Sequence, residues 1–71
     1  MASVDYRNVR EVIVELKFVP SITSMQKIMR KRYGYAPARP HVYKIYQDLV
    51  SSGAIYETGM NPTWAYRYPY P

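Results

Sequence analysis

The sequence predicts a mainly α fold closed by a small β-hairpin, with three helices followed by two strands. Three observations carry this expectation. Apolar side chains recur at helical spacing in three consecutive stretches. Each stretch ends on a residue that stops helices: Pro20, Gly34 and Gly53 in turn. After Gly53 the pattern becomes extended, with two runs rich in aromatic or β-forming residues on either side of the turn formers Thr58-Gly59-Met60-Asn61-Pro62. At 71 residues the chain has room for one modest core, so it reads as one domain over 1–71, with Pro69-Tyr70-Pro71 as a frayed tail.

The first helix is expected from Val4 or Asp5 to Lys17, because Tyr6, Val9, Val12, Ile13 and Leu16 fall on one stripe. Ser3 and Asp5 are the candidate N-caps, and Arg7 and Glu11 stand four apart on the outside. Val14 and Phe18 lie off the stripe. They either shield the edge of the core or form the pairing face of a homodimer.

Pro20 closes that segment, and Ser21-Ile22 is expected as a very short extended piece. Thr23 followed by Gln26 fits a capping box, after which Met25, Ile28, Met29 and Tyr33 keep helical spacing up to Gly34. The opposite face holds Lys27, Arg30 and Lys31, with Arg32 nearby, the densest positive cluster in the chain. Such a cluster serves either as a solvated helix face or as a set of phosphate contacts.

Tyr35-Ala36-Pro37-Ala38-Arg39 is short enough to be a turn, and its prolines restrict the angle at which the next helix leaves. Two helices joined in this way read as a helix-turn-helix. The third helix, from Arg39 to a stop at Gly53, buries Val42, Ile45, Tyr46, Leu49 and Val50. Its other side presents Lys44, Gln47, Ser51 and the ring of Pro40, flanked near the start by Arg39, His41 and Tyr43. A basic, hydrogen-bonding and aromatic face opposite a core face is what a helix laid in a DNA groove needs.

The hairpin is expected from Ala54-Ile55-Tyr56-Glu57 and from the run Thr63 to Tyr68. In the second strand Trp64, Tyr66 and Tyr68 share one face and Thr63, Ala65 and Arg67 the other. Trp64 is large enough to cover the core beneath the hairpin.

Composition narrows the function. A net charge of +5, from ten Lys and Arg against five acids, favours a polyanionic partner. With no cysteine, one histidine and scattered acids, no disulfide, metal cluster, nucleophile–base pair or phosphate-cradling glycine motif has recognisable spacing. No enzyme activity, cofactor, metal or small-molecule substrate is therefore expected. The longest apolar runs are too short for a bilayer and no secretory leader is evident, so a cytoplasmic, DNA-associated location is expected, with no membrane partner.

From Ser21 to Tyr68, and most of all in Leu49-Val50-Ser51-Ser52-Gly53-Ala54-Ile55, the chain resembles winged helix-turn-helix domains, with Asp5 to Lys17 standing for the family's first helix. The resemblance implies a third helix in the major groove and a hairpin wing on the adjacent backbone or minor groove. Pro62-Thr63-Trp64 is also similar to the Pro-x-Trp of winged helices that bind Z-form nucleic acid. The positions that carry an asparagine and a tyrosine in that group are Tyr43 and Gln47 here.

The expectation is a small DNA-binding transcriptional regulator, acting on double-stranded DNA as a homodimer. Its contact residues are Lys27, Arg30, Lys31, Arg39, His41, Tyr43, Lys44 and Gln47, with Asn61 and Arg67 from the wing, and Val14 and Phe18 at the dimer interface. The competing expectation is a winged helix that binds protein through a tyrosine-rich surface, supplied by Tyr35, Tyr43, Tyr56 and Tyr70.

Overall fold

Helix α1 (Val4–Leu16) turns Asn8, Val9, Val12 and Ile13 inward and ends where Lys17 enters the left-handed region, φ +62°. The computed structural model describes residues 4–60 and 63–66. Because the chain turns at Lys17, Leu16 is left on the surface and does not complete the core stripe expected of it. Val19 and Pro20 fold back into the interior instead.

Helix α2 (Ile22–Tyr33) begins two residues earlier than a cap at Thr23 requires. Ser21 is the N-cap: its Oγ accepts a hydrogen bond from Ser24 N–H at 3.2 Å. The short strand expected at Ser21-Ile22 is therefore not formed, and burial of Ile22 explains why, since starting the helix there carries its side chain into the core beside Met25 and Met29. Gln26, freed from capping, donates from Nε2 to the carbonyl of Pro37 at 3.0 Å and ties the helix to the turn that follows. Gly34 ends α2 with φ +83° and donates to Arg30 O.

Helix α3 (Arg39–Ser52) has Pro40 in its first turn and stops at Gly53. Gly53 N–H donates to Val50 O and Ala54 N–H to Leu49 O, the paired bonds of a Schellman end, with Leu49 and Ala54 both buried. Gly53 sits at φ +85°, and a Cβ there would meet no atom within 4 Å. Gly53→Ala should thus cost only the conformational penalty of a left-handed residue, about 1–2 kcal/mol, with Gly53→Asn milder. Urea unfolding of the two variants checks this, and an alanine variant as stable as the wild type would contradict it.

Strands β1 (Ile55–Glu57) and β2 (Trp64–Tyr66) pair antiparallel, with Ile55 opposite Tyr66 and Glu57 opposite Trp64. Thr58 N–H closes the loop onto Thr63 O at 2.9 Å. Trp64 and Tyr66 face the core together, as alternation requires, while Tyr56 points outward. The result is three helices and an antiparallel hairpin, mainly helical, in the order of a winged helix.

Tyr46 of α3, which is fully buried, joins the hairpin to the segment between α1 and α2. Its hydroxyl donates to the carbonyl of Pro20 at 2.8 Å, and its ring meets Trp64 edge-on with centroids 4.8 Å apart. Burial pushes the phenol pKa well above its ordinary value, so the hydroxyl remains a donor at any physiological pH. Val50, expected in the core, is only half-buried at the margin.

Candidate nucleic-acid interface

The outward side of α3 is laid down by its core side. With Val42, Ile45, Tyr46 and Leu49 inside, the helical repeat leaves Pro40, Lys44, Gln47 and Ser51 on the opposite stripe. Pro40, Lys44 and Ser51 are exposed and Gln47 is half-buried. Arg39 and Tyr43 flank this stripe on one side; His41 and Asp48 flank it on the other.

The two flanks have different neighbours. Arg39 Nη1 donates to Thr23 Oγ1 on α2, which latches the start of α3 to the start of α2. Tyr43 leans on the hairpin, its ring edge-on to Trp64 with centroids 6.3 Å apart, yet it is half exposed. His41, on the other flank, is drawn to α1: its Nε2 lies 3.2 Å from Asp5 Oδ2. The structure thus brings Arg39, Tyr43, Lys44 and Gln47 to one surface and sets His41 apart from them.

Asp5 has a second contact that nothing in the local sequence announces. Tyr35 OH donates to Asp5 Oδ1, so one carboxylate holds the α2–α3 turn and the first turn of α3 against α1. The hydrogen bond to Asp5 is the main cause raising the Tyr35 phenol pKa. Asp5, read as an α1 cap, and Tyr35, read as a free aromatic, therefore both fix the pose of α3.

On α2, the residues at 23, 26 and 30 follow one another at helical spacing. Thr23 and Gln26 touch Arg39 and Pro37, so Arg30 extends the edge that faces the start of α3. Lys27 and Lys31 stand beside it, and all three are exposed. Arg32 leaves the cluster: its guanidinium donates two bonds to the Glu15 carboxylate of α1, at 2.9 and 3.2 Å. Lys27, Arg30, Lys31 and Lys44 take no ion pair among the described residues.

Helix α2 contains no acid, whereas α1 carries Asp5, Glu11 and Glu15 beside Arg7 and Arg10. The basic residues Lys27, Arg30 and Lys31 lie on the exposed face of α2, and Lys44 lies on the outward stripe of α3 with Asp48 on that stripe's far flank. Asn61 and Arg67, expected to contribute from the wing, lie outside the described residues. Among the described hairpin residues, exposed Met60 and Tyr56 belong to the wing.

Trp64 covers the core rather than facing a ligand. Its indole N–H is buried with no acceptor among the described residues. Among those residues no helix is long and apolar enough to cross a membrane. No protein-family model, curated protein or solved structure matches the chain.

Proposed function

We propose that the protein is a DNA-binding regulator of the winged-helix kind, with α3 entering the major groove of a duplex and the basic edge of α2 resting on the flanking phosphates. The observation that carries this is the cluster of exposed positive charge: Lys27, Arg30 and Lys31 on α2 and Lys44 on the outward stripe of α3 stand exposed and without ion pairs among the described residues, on two helices that Arg39–Thr23 and Gln26–Pro37 hold together. Cations held apart from carboxylates are available to displace counterions from a phosphate backbone. Arg39, bonded to Thr23, anchors the helix start, and Tyr43, backed by Trp64, offers a positioned ring and hydroxyl.

Within this arrangement the two helices have different tasks. Lysines and arginines on α2 reach phosphate, which positions the protein without reading sequence. Gln47, with both an acceptor and a donor, is the α3 side chain suited to bond adenine through its amide. Gln47→Ala should cost about 1–3 kcal/mol on a selected duplex and nothing on random sequence. Lys31→Ala should weaken both duplexes alike and flatten the salt dependence. Anisotropy titrations on the two duplexes, with thermal melts because Gln47 is half-buried, decide the matter. Equal losses for Gln47→Ala on both duplexes would remove base reading from this residue. Failure of the wild type to bind any duplex would leave the tyrosine-bearing surface as a protein-binding one.

A further inference from the structure

The outer face of α1 carries a pattern that matches itself when reversed. Val9, Val12 and Ile13 take the inner face to the core, and the opposite stripe reads Val4, Arg7, Glu11, Val14, separated by three, four and three residues. All four are exposed, Val4 and Val14 at 58% and 38%. The stripe is apolar at both ends and has one base and one acid between them. Turned end for end about an axis at the level of Val9, it sets Val4 against Val14 and Arg7 against Glu11.

Neither Arg7 nor Glu11 takes an ion pair among the described residues. Base before acid is also the weaker order for a pair four apart on one helix. Between the side chains the surface dips into a shallow hollow lined by Arg7, Arg10, Glu11, Val14 and Glu15, a shape that accepts a ridge of side chains from another helix.

We propose that this face binds a second copy of the chain, α1 against α1 in antiparallel orientation. Arg7 of each copy pairs with Glu11 of the other, and Val4 packs on Val14 at both ends. The interface is isologous, so each of these contacts occurs twice. The contact follows one helix about 20 Å long, near the lower end of specific interfaces at roughly 1,200 Å² in total, so association depends on protein concentration. Because α1 meets α2 and α3 with its inner face, the second copy leaves both outward α3 stripes uncovered. Resting on the DNA-binding proposal, this pairing presents two recognition helices related by a two-fold axis and calls for a palindromic site.

Sedimentation equilibrium on the protein alone tests the pairing. The wild type should pass from monomer to dimer as concentration rises. Arg7→Glu sets a carboxylate against Glu11 of the other copy, and Glu11→Arg sets a guanidinium against Arg7; like charges opposed across an interface disfavour it. Each variant alone should dimerise at least about tenfold more weakly. Mixed in equal amounts, the two variants restore two opposite-charge pairs and should form a heterodimer at the wild-type concentration. Both sites are exposed, and circular dichroism confirms that each variant folds. A monomeric wild type at all concentrations, dimers indifferent to the reversals, or a mixture that stays monomeric would overturn the proposal. A monomer that still binds duplex DNA overturns the pairing alone, whereas a dimer that binds none overturns the DNA reading alone.

Discussion

Tyr46→Ala should remove much of the stability of the fold at 25 °C. Removing a fully buried aromatic ring costs about 3–5 kcal/mol, and a small domain of this size has only about 5–10 kcal/mol of stability in total. The loss is compounded at two points. Trp64 loses the ring it meets edge-on, and with it the anchor of the hairpin; the Pro20 carbonyl loses its donor in the interior. Tyr46→Phe separates the two effects. It keeps the ring and deletes only the hydroxyl, so it should cost about 1–3 kcal/mol, the penalty of an unsatisfied buried acceptor. Far-ultraviolet circular dichroism with urea melts checks both variants. An alanine variant that unfolds at the wild-type midpoint would show that the fold does not depend on this side chain.

The second large effect is electrostatic. Replacing Lys27, Arg30 and Lys31 together by alanine should leave the melt nearly unchanged, because all three are exposed and without ion pairs among the described residues. Duplex binding should suffer heavily. Each lost phosphate contact removes about 0.9 from the slope of log affinity against log salt, so the triple variant should be flatter by roughly 2–3. At 0.1 M salt the same relation amounts to roughly two to three orders of magnitude in affinity. Arg32→Ala is the internal control. Its guanidinium is engaged by Glu15, so the substitution should change binding far less than any of the other three. Fluorescence anisotropy at several salt concentrations measures all of these, and an unaltered slope in the triple variant would take α2 away from the phosphates.

The elements were legible in the sequence where a local pattern was enough to define them. Helix α3 spans Arg39–Ser52 because Val42, Ile45, Tyr46 and Leu49 share one face at the helical repeat and Gly53 can take the left-handed stop. The start of α2 was less legible, since Ser21 and Thr23 both suit a cap, and only the burial of Ile22 selects Ser21. Leu16 fits the α1 stripe by period yet stays on the surface, because the helix ends there and the chain turns at Lys17. The polar ties of the candidate site were not legible. Asp5 reaches Tyr35 and His41 across at least 30 residues, Gln26 reaches Pro37, and Arg32 reaches Glu15; no periodicity encodes such partners. These ties draw His41 and Arg32 to α1, and leave Lys27, Arg30, Lys31, Arg39, Tyr43, Lys44 and Gln47 on the candidate face.

The most direct measurement is a titration of a labelled random-sequence duplex with the wild-type protein at 50 and 200 mM salt. If α2 and α3 form a phosphate-binding face, the duplex binds at the lower salt. With four phosphates neutralised by Lys27, Arg30, Lys31 and Lys44, affinity should fall about a hundredfold at the higher salt. No binding at 50 mM, or equal affinity at both salts, would contradict a nucleic-acid function for this fold.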